Sequence, residues 1–355
     1  MAGKKRVTIS DVAEEAGVSK QTVSRVINDR PNVADHTRGR IKEIIKELGY
    51  QPDPIARSMR GSSHTLGCIT PNLSDYNFSS IVQAAQAEAR KEGFFLLTGS
   101  APTEDDVQPL LNEIMNRRVD GLLVINPRDD NRFQHLLPLI EQGIPIVYIK
   151  NTPVDEQVSA VSLDDETGGY LATQYLIQLG HRKIATIRGL TNEECTQERM
   201  VGFRKAFEEA RLELNSKLLA NGDWSASSGY QAIKDLLKNG NDFSAVFAYN
   251  DRMAVGAIQA LRESGFAIPQ DISVIGYDDI PLSSYFDPPM TTVRQPMEEF
   301  GRIGAQILIE ALNNRYFKPQ IVRLAPELIV RKTCAPYQTR SEVMPGVDRV
   351  SEIAS

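Results

Sequence analysis

Cysteine, histidine and tryptophan are scarce in this 355-residue chain, which has three Cys, four His and one Trp. Three cysteines are too few to staple a small secreted scaffold. No C-x-x-C is present, which argues against a structural zinc site. His36, His64, His135 and His181 lie far apart and no H-E-x-x-H occurs, so no metal is expected. The chain also lacks G-x-x-x-x-G-K-[ST], G-x-S-x-G and a Gly-rich dinucleotide fingerprint, so neither an enzyme nor a cofactor is expected. Its longest apolar runs, such as Gly121–Ile125 and Ile144–Ile149, are strand-sized and exclude a membrane-spanning helix. The start, Met1–Thr8, is basic without a following apolar stretch. The expectation is therefore no secretory signal and a cytoplasmic protein.

Charge is unevenly shared. The whole chain carries a net charge of −6, with 40 Lys+Arg against 46 Asp+Glu. Residues 1–60 hold 12 Lys+Arg against 8 Asp+Glu, a net of +4, so the remainder carries −10. A basic head on an acidic body points to a polyanionic partner for the head.

That head reads as short helices. Thr8 and Ser10 are capping candidates, and Ile9, Val12, Ala13 and Ala16 recur at helical spacing. Gly17 supplies a turn. Ser19 is placed to cap a second helix, Lys20–Ile27, whose inner face is Val23, Val26 and Ile27. Lys20, Gln21, Ser24 and Arg25 are expected on its outer face. These side chains suit a major groove: Lys and Arg donate to guanine, Gln pairs with adenine, and Ser reaches a phosphate or base edge. Helix, Gly-containing turn and polar-faced helix make a helix-turn-helix pattern. A third helix starting at Asp35 or Thr37 closes the small core with Ile41, Ile44, Ile45 and Leu48. Pro54 suits the first turn of a further short helix, and Gly61–Thr65 a joint.

The stretches Val7–Asn28, Thr37-Arg38, Leu48–Pro52 and Ala56–Arg60 resemble the lactose-repressor/galactose-repressor family of bacterial transcription regulators. The resemblance implies that Lys20, Gln21 and Arg25 read bases. It also implies that Ser19, Thr22, Ser24, Asn28, Thr37 and Tyr50 position phosphates. Ala56, Met59 and Arg60 would belong to a hinge helix in the minor groove, with Met59 as the wedge between base pairs. Two residues depart from the family: Met59 stands where Leu is usual, and Asp53 where many members carry Asn. Met is a softer wedge, and a carboxylate is repelled by phosphate.

From Thr65 onward strand-like and helix-like segments alternate, as in Leu66–Pro71, Ser79–Glu92, Phe94–Thr98, Asp105–Asn116 and Val119–Ile125. The pattern continues through Asn131–Glu141, Ile144–Ile149, Glu166–Leu179 and Lys183–Arg188, a strand near Lys217–Asn221, and on to Met297–Asn313. Such αβ alternation means parallel sheets with helices on both faces. The length favours two lobes with a ligand crevice at the strand C-terminal ends. The expected fold is α/β: a periplasmic-binding-protein-like body of two parallel doubly wound sheets behind an all-α headpiece. The resemblance covers residues 7–333, through Asn250–Gly256, Asp271–Asp279 and Pro289–Gln295 among others, and implies three crossings between lobes, near Asp164, Thr291–Gln295 and Leu324. The expected organisation is a headpiece over 1–53, a hinge over 54–64 and a body over 65–335. Lobe one takes about 65–164 and 294–323, lobe two about 165–293 and 324–333, and 336–355 form a flexible tail. The tail holds Pro345, Gly346 and no Leu, so it cannot sustain a leucine coiled coil, and a homodimer is expected.

By position in the family, Phe78, Asp164, Arg199, Trp224, Asn250, Asp278 and Gln295 would surround a small effector. The set also makes chemical sense, since aromatic faces with Arg, Asn, Asp and Gln suit a polyhydroxylated ring. Asp278 ends a strand, as a crevice residue should. Asp165 is expected to cap the following helix, His181 to be structural, and Cys195 to line the cleft without a reactive thiol. Lys150 stands where many sugar-responsive members carry an acidic or amide residue. It is expected to pair with an anionic ligand or with a cleft carboxylate such as Asp278. The expected function is a ligand-switched repressor of near-palindromic operator DNA responding to a sugar or sugar derivative, acidic or phosphorylated forms included. The alternative effector is a nucleobase or other anionic metabolite. A sugar receptor without DNA function, and an enzyme, are the other classes considered.

Overall fold

The computed structural model describes residues 7–27, 31–50, 63–126, 132–153 and 156–338. Asn28, Ala56, Met59, Arg60 and the tail from residue 339 lie outside the described residues.

The headpiece has three helices, α1 (Ile9–Glu15), α2 (Lys20–Ile27) and α3 (Asp35–Glu47). Thr8 precedes α1, and the Asp11 carboxylate reaches back to accept its backbone N–H at 2.7 Å and its hydroxyl at 2.8 Å. Gly17 turns the chain at φ +64°. The Ser19 hydroxyl then accepts the Thr22 N–H at 3.1 Å and caps α2. Val12, Val23, Val26, Ile41 and Ile44 form the core. Of the two starts expected for the third helix, Asp35 is the one found.

The body contains two six-stranded sheets. Lobe one uses β1 (Thr65–Thr70), β2 (Phe95–Ser100), β3 (Gly121–Ile125), β4 (Ile146–Lys150), β5 (Ser159–Leu163) and β11 (Ile321–Leu324), in the order β11-β5-β4-β3-β1-β2. Lobe two uses β6 (Ile184–Arg188), β7 (Leu219–Asn221), β8 (Ala245–Ala248), β9 (Ser273–Asp278), β10 (Thr291–Arg294) and β12 (Glu327–Ile329), in the order β12-β10-β9-β8-β6-β7. Each sheet therefore holds the doubly wound order 2-1-3-4-5 plus one late strand. The β1–β3, β3–β4, β4–β5, β5–β11, β6–β7, β6–β8, β8–β9 and β9–β10 pairings are parallel, and β10 pairs antiparallel with β12. Covered on both faces, the central strands are apolar throughout: β3 and β8 are buried at every position.

The helices of lobe one are α4 (Tyr76–Lys91), α5 (Glu104–Asn116), α6 (Leu137–Glu141) and α11 (Met297–Asn313). Those of lobe two are α7 (Asp165–Gln178), α8 (Glu194–Glu209), α9 (Ala226–Lys238) and α10 (Asp251–Glu263). Three crossings join the lobes: after β5, after β10 and after β11. That matches the two lobes read from the αβ alternation and the three crossings that the family resemblance implies.

Local differences have local causes. The described part of the expected Asn131–Glu141 helix is a 3-10 turn, Arg132–Leu136, followed by α6. Pro138 sits in the first turn of α6, where its missing N–H costs nothing. The strand expected near Lys217–Asn221 shrinks to β7 behind a 3-10 turn. Ser159–Leu163, not among the segments read from the alternation, is a fully buried strand whose backbone is paired by its neighbours β4 and β11. The cap of α7 is Asp164, which accepts the Thr167 N–H at 3.1 Å and its hydroxyl at 2.8 Å, rather than Asp165. Asp165 is the first helical residue and points into the core.

Candidate functional site

On the headpiece, Lys20, Gln21 and Arg25 are exposed on one face of α2, and Ser19 is exposed at its start. Thr22 and Thr37 are half-buried. Ser24 and Tyr50 depart from the surface expectation: both are buried, at 8% and 9% exposure, among the packed residues of the headpiece. The polar outer face is therefore narrower than the sequence pattern, and consists of Lys20, Gln21 and Arg25.

In the body, a cavity of about 340 Å³ lies between the lobes. Its polar lining comes from the C-terminal ends of parallel strands, as expected of doubly wound sheets. Asn126 follows β3, Lys150 ends β4, Asp278 ends β9 and Asn250 follows β8. Nine non-glycine residues among those described have positive φ. Four of them line this cavity: Asn126 at +51°, Lys150 at +75°, Trp224 at +70° and Asp278 at +119°. Left-handed backbone is costly for such residues and concentrates where side chains must be aimed at a ligand.

Phe78 lies in the first turn of α4 and forms part of the lobe-one wall. Lys150 Nζ lies 5.8 Å from its ring centroid. On the lobe-two wall, Trp224 packs against Gly189, where an added Cβ would lie 1.9 Å from the indole. Asn250 lines the cavity but is already committed on both sides. Its carbonyl caps α10 through Met253 N–H at 2.8 Å, and its amide donates to the Trp224 carbonyl at 2.9 Å. It therefore holds the tryptophan loop in place.

Arg199 is 2% exposed. Its Nε donates to Asp165 Oδ1 at 2.7 Å, its Nη1 donates to the Tyr249 carbonyl, and its guanidinium stacks 3.6 Å from the Tyr277 ring centroid. Tyr277 donates its hydroxyl to the same Asp165 oxygen at 2.8 Å. This network fixes the guanidinium edge beside Trp224, with the ring centroid 5.8 Å away. Asp278 accepts from Gln295 Nε2 at 2.6 Å. Burial raises the Asp278 carboxyl above the usual carboxylate range, against the opposing pull of Lys150 and Arg199 and a hydrogen bond from Asn77. Asp164 alone among the expected effector residues does not line the cavity. Its carboxylate is spent on the α7 cap and on Arg323 at 3.5 Å.

Several lining residues were not picked out from sequence. Asn77, Asn126 and Arg132 line the cavity, and the salt bridge of Asp75 with Arg252 joins the lobes beside it at 2.8 Å. The strand-end rule could have found Asn126, which directly follows Gly121–Ile125. Nothing local marks Arg132, which tertiary contact brings in from a 3-10 turn. Three acceptors in the lining, Asn77 Oδ1, Asn126 Oδ1 and Gln295 Oε1, are buried without a hydrogen-bond partner. Buried polar atoms are rarely left so, which marks them as waiting for a donor-bearing molecule. Among the described residues no Cys/His/Asp/Glu group could hold a metal, and no helix is long and apolar enough to cross a membrane. Cys195 lines the cavity, while burial pushes the Cys68 and Cys334 thiols up to about 12. His181 is buried, with its ring nitrogens 2.8 Å from Ser244 Oγ and 3.0 Å from Ser273 Oγ, a structural role.

Residues 8–53 match the model for bacterial regulatory proteins of the lacI family, and residues 173–334 match a periplasmic binding protein-like domain. The HTH-type transcriptional repressor PurR of Vibrio vulnificus (strain CMCP6) is 34% identical over 328 residues, which cover 92% of this chain and 98% of that protein. A solved complex of the transcriptional regulator CelR with cellobiose is 35% identical with a TM-score of 0.71, covering 92% of this chain and all of that one. The lac repressor dimer bound to operator and the anti-inducer ONPF is 31% identical with a TM-score of 0.79, covering 93% of this chain and all of that one. A headpiece whose second helix has a polar face, a two-lobed body with a cavity, and relatives matched over nearly their whole length converge on one answer: the chain belongs to the lacI family of bacterial regulatory proteins, and is a DNA-binding transcriptional regulator with an effector-binding domain rather than an enzyme.

Proposed function

We propose that this regulator is a repressor that reads a near-palindromic operator as a homodimer and is switched by a carbohydrate held between its lobes. The relatives named as repressors support the direction of control. In this reading Lys20, Gln21 and Arg25 contact base edges in the major groove, while Ser19, Thr22 and Thr37 approach phosphates. The effector acts by binding one arrangement of the lobes better than another, which shifts the population competent for DNA.

The observation that carries the ligand class is the composition of the cavity. One indole face stands beside a fixed guanidinium and a carboxylate, and three unpartnered acceptors complete the lining. A sugar ring offers an apolar C–H face to the indole, and each hydroxyl both donates and accepts. Cellobiose in the CelR complex supports the same reading.

A second reading has its own observation. The curated relatives carry the name HTH-type transcriptional repressor PurR, and the effector class that name suggests is a purine base rather than a sugar. A planar base would also use the Trp224 face and donate ring N–H groups to the open acceptors.

Trp224 is the only tryptophan in the chain and lies in the cavity, so its fluorescence reports occupancy. Purified protein is titrated with neutral sugars, acidic sugars and purine bases, and each hit is added to a binding assay on duplexes selected from random sequence. A sugar that changes both fluorescence and operator affinity supports the proposal. A purine base that alone does both replaces it with the second reading.

A further inference from the structure

We infer that the effector carries an acidic group, a carboxylate or phosphate, seated against Lys150 on the lobe-one wall while its hydroxyl-bearing part lies against lobe two. This deepens the carbohydrate reading and rests on it. Four observations converge.

The first is the sorting of charge across the cavity. On lobe one, the charge of Asp75 is matched by Arg252 at 2.8 Å, and Lys150 adds a cation to the wall. On lobe two, Arg199 is matched by Asp165 at 2.7 Å, and Asp278 adds a carboxylate to that wall. The cavity is therefore polarised, positive at one wall and negative at the other. A neutral ligand makes no use of such a gradient. A ligand with an anionic end and a hydroxyl-rich end fits it.

The second is the state of Lys150. Among the described residues no carboxylate lies within 4.0 Å of its ammonium, and the Phe78 ring centroid is 5.8 Å away. Asp278 feels its charge from across the cavity without forming an ion pair. An ammonium on a half-buried strand end, lying toward an aromatic face, is a site for a charge-assisted hydrogen bond.

The third is the backbone that presents it. Ile125 and Ile149 are register partners of β3 and β4, and the next residues, Asn126 and Lys150, both turn through positive φ into the cavity. The Asn126 N–H bonds the Ile149 carbonyl at 3.0 Å, so the two turns are tied together. Such a paired bend is costly to keep and would not be needed for a lysine that only reaches solvent.

The fourth is the company around it. The Asn126 amide, with its Oδ1 unpartnered, stands ready on the same wall, and an amide offers a donor as well as an acceptor. Arg132 is 4% exposed and fixed by the carbonyls of Ala101 and Pro102.

The test uses the full-length protein, titrated by calorimetry with matched sets of one sugar: the neutral form, its uronate, its aldonate and its 6-phosphate, with purine bases alongside. The tightest ligand is expected to be an acidic form, and which form it is separates carboxylate from phosphate. Its affinity should fall at least about tenfold in Lys150→Met, because a charge-assisted bond is lost. Lys150→Arg, which keeps the charge, should retain most of the affinity and also control for folding. In Lys150→Met the acidic and neutral forms should bind alike. If the neutral sugar binds most tightly and Lys150→Met leaves it unchanged, the acidic-group inference falls and the carbohydrate reading stands. If a purine base binds most tightly, the carbohydrate reading itself falls.

Discussion

The Arg199–Asp165 pair links the core of lobe two to the effector cavity, and Asp165→Asn tests that link. Both side chains are 3% exposed and meet at 2.7 Å. At an effective dielectric of ~20, charges that close attract by about 6 kcal/mol, and desolvating the two ions takes most of this back. The intact pair therefore adds little net stability. Breaking it from one side is different. Asparagine Oδ1 can still accept from Tyr277 and from Arg199 Nε, but the buried guanidinium loses the carboxylate charge that balanced it. That uncompensated charge should cost about 3–5 kcal/mol. The apolar double variant Asp165→Leu with Arg199→Met removes both charges and should recover most of the loss, while abolishing effector binding because the fixed guanidinium is gone. Urea unfolding followed by Trp224 fluorescence gives the stabilities, and calorimetry gives binding. A single variant within about 1 kcal/mol of the parent, or a double variant less stable than the single, would show that the pair does not act as a buried charge couple.

Other expectations follow from the same geometry. Burial first, then the Asp165 carboxylate, pushes the Glu198 carboxyl up to about 7, while Arg323 at 3.1 Å opposes. The native state then holds a proton that the unfolded chain releases near the ordinary value of 4.5, so this group lowers stability as pH rises from about 4.5 through 7. Glu198→Gln should gain on the parent across that window, by on the order of 1–3 kcal/mol, and equal gains at pH 4 and pH 8 would contradict the assignment. Gly189→Ala would place a methyl 1.9 Å from the Trp224 indole. The ring must move, so Trp224 emission should shift and effector affinity should drop, while operator binding without effector persists. Arg25→Ala should weaken the selected operator by about 1–3 kcal/mol more than random duplex, measured by anisotropy at fixed salt. A uniform loss on all duplexes would assign Arg25 to phosphate instead.

How much of this was legible beforehand can be argued residue by residue. Strand ends such as Asp278 and the exposed face of Lys20, Gln21 and Arg25 follow from pattern, because periodicity and the strand-end rule are local or nearly so. Ser24 illustrates the limit: helical spacing puts it beside the outer face, and only three-helix packing decides that it is buried. Asp164 and Asp165 make the same point in adjacent residues. Either carboxylate could cap α7 on sequence grounds. The one facing outward does, because the other is claimed by Arg199 34 positions away. Asn77 and Arg132 were illegible because their relevance is created by a wall that does not exist until strands far apart in sequence pair.

The chain by itself determined the class of fold, the three-helix reader and the αβ alternation of the body, since these rest on apolar period and turn residues that act within a few positions. Tertiary structure alone decided which polar groups stay free. Whether a carboxylate caps a helix, neutralises an arginine or faces a ligand depends on what the other lobe and distant strands bring to it. That competition for partners is settled only in three dimensions.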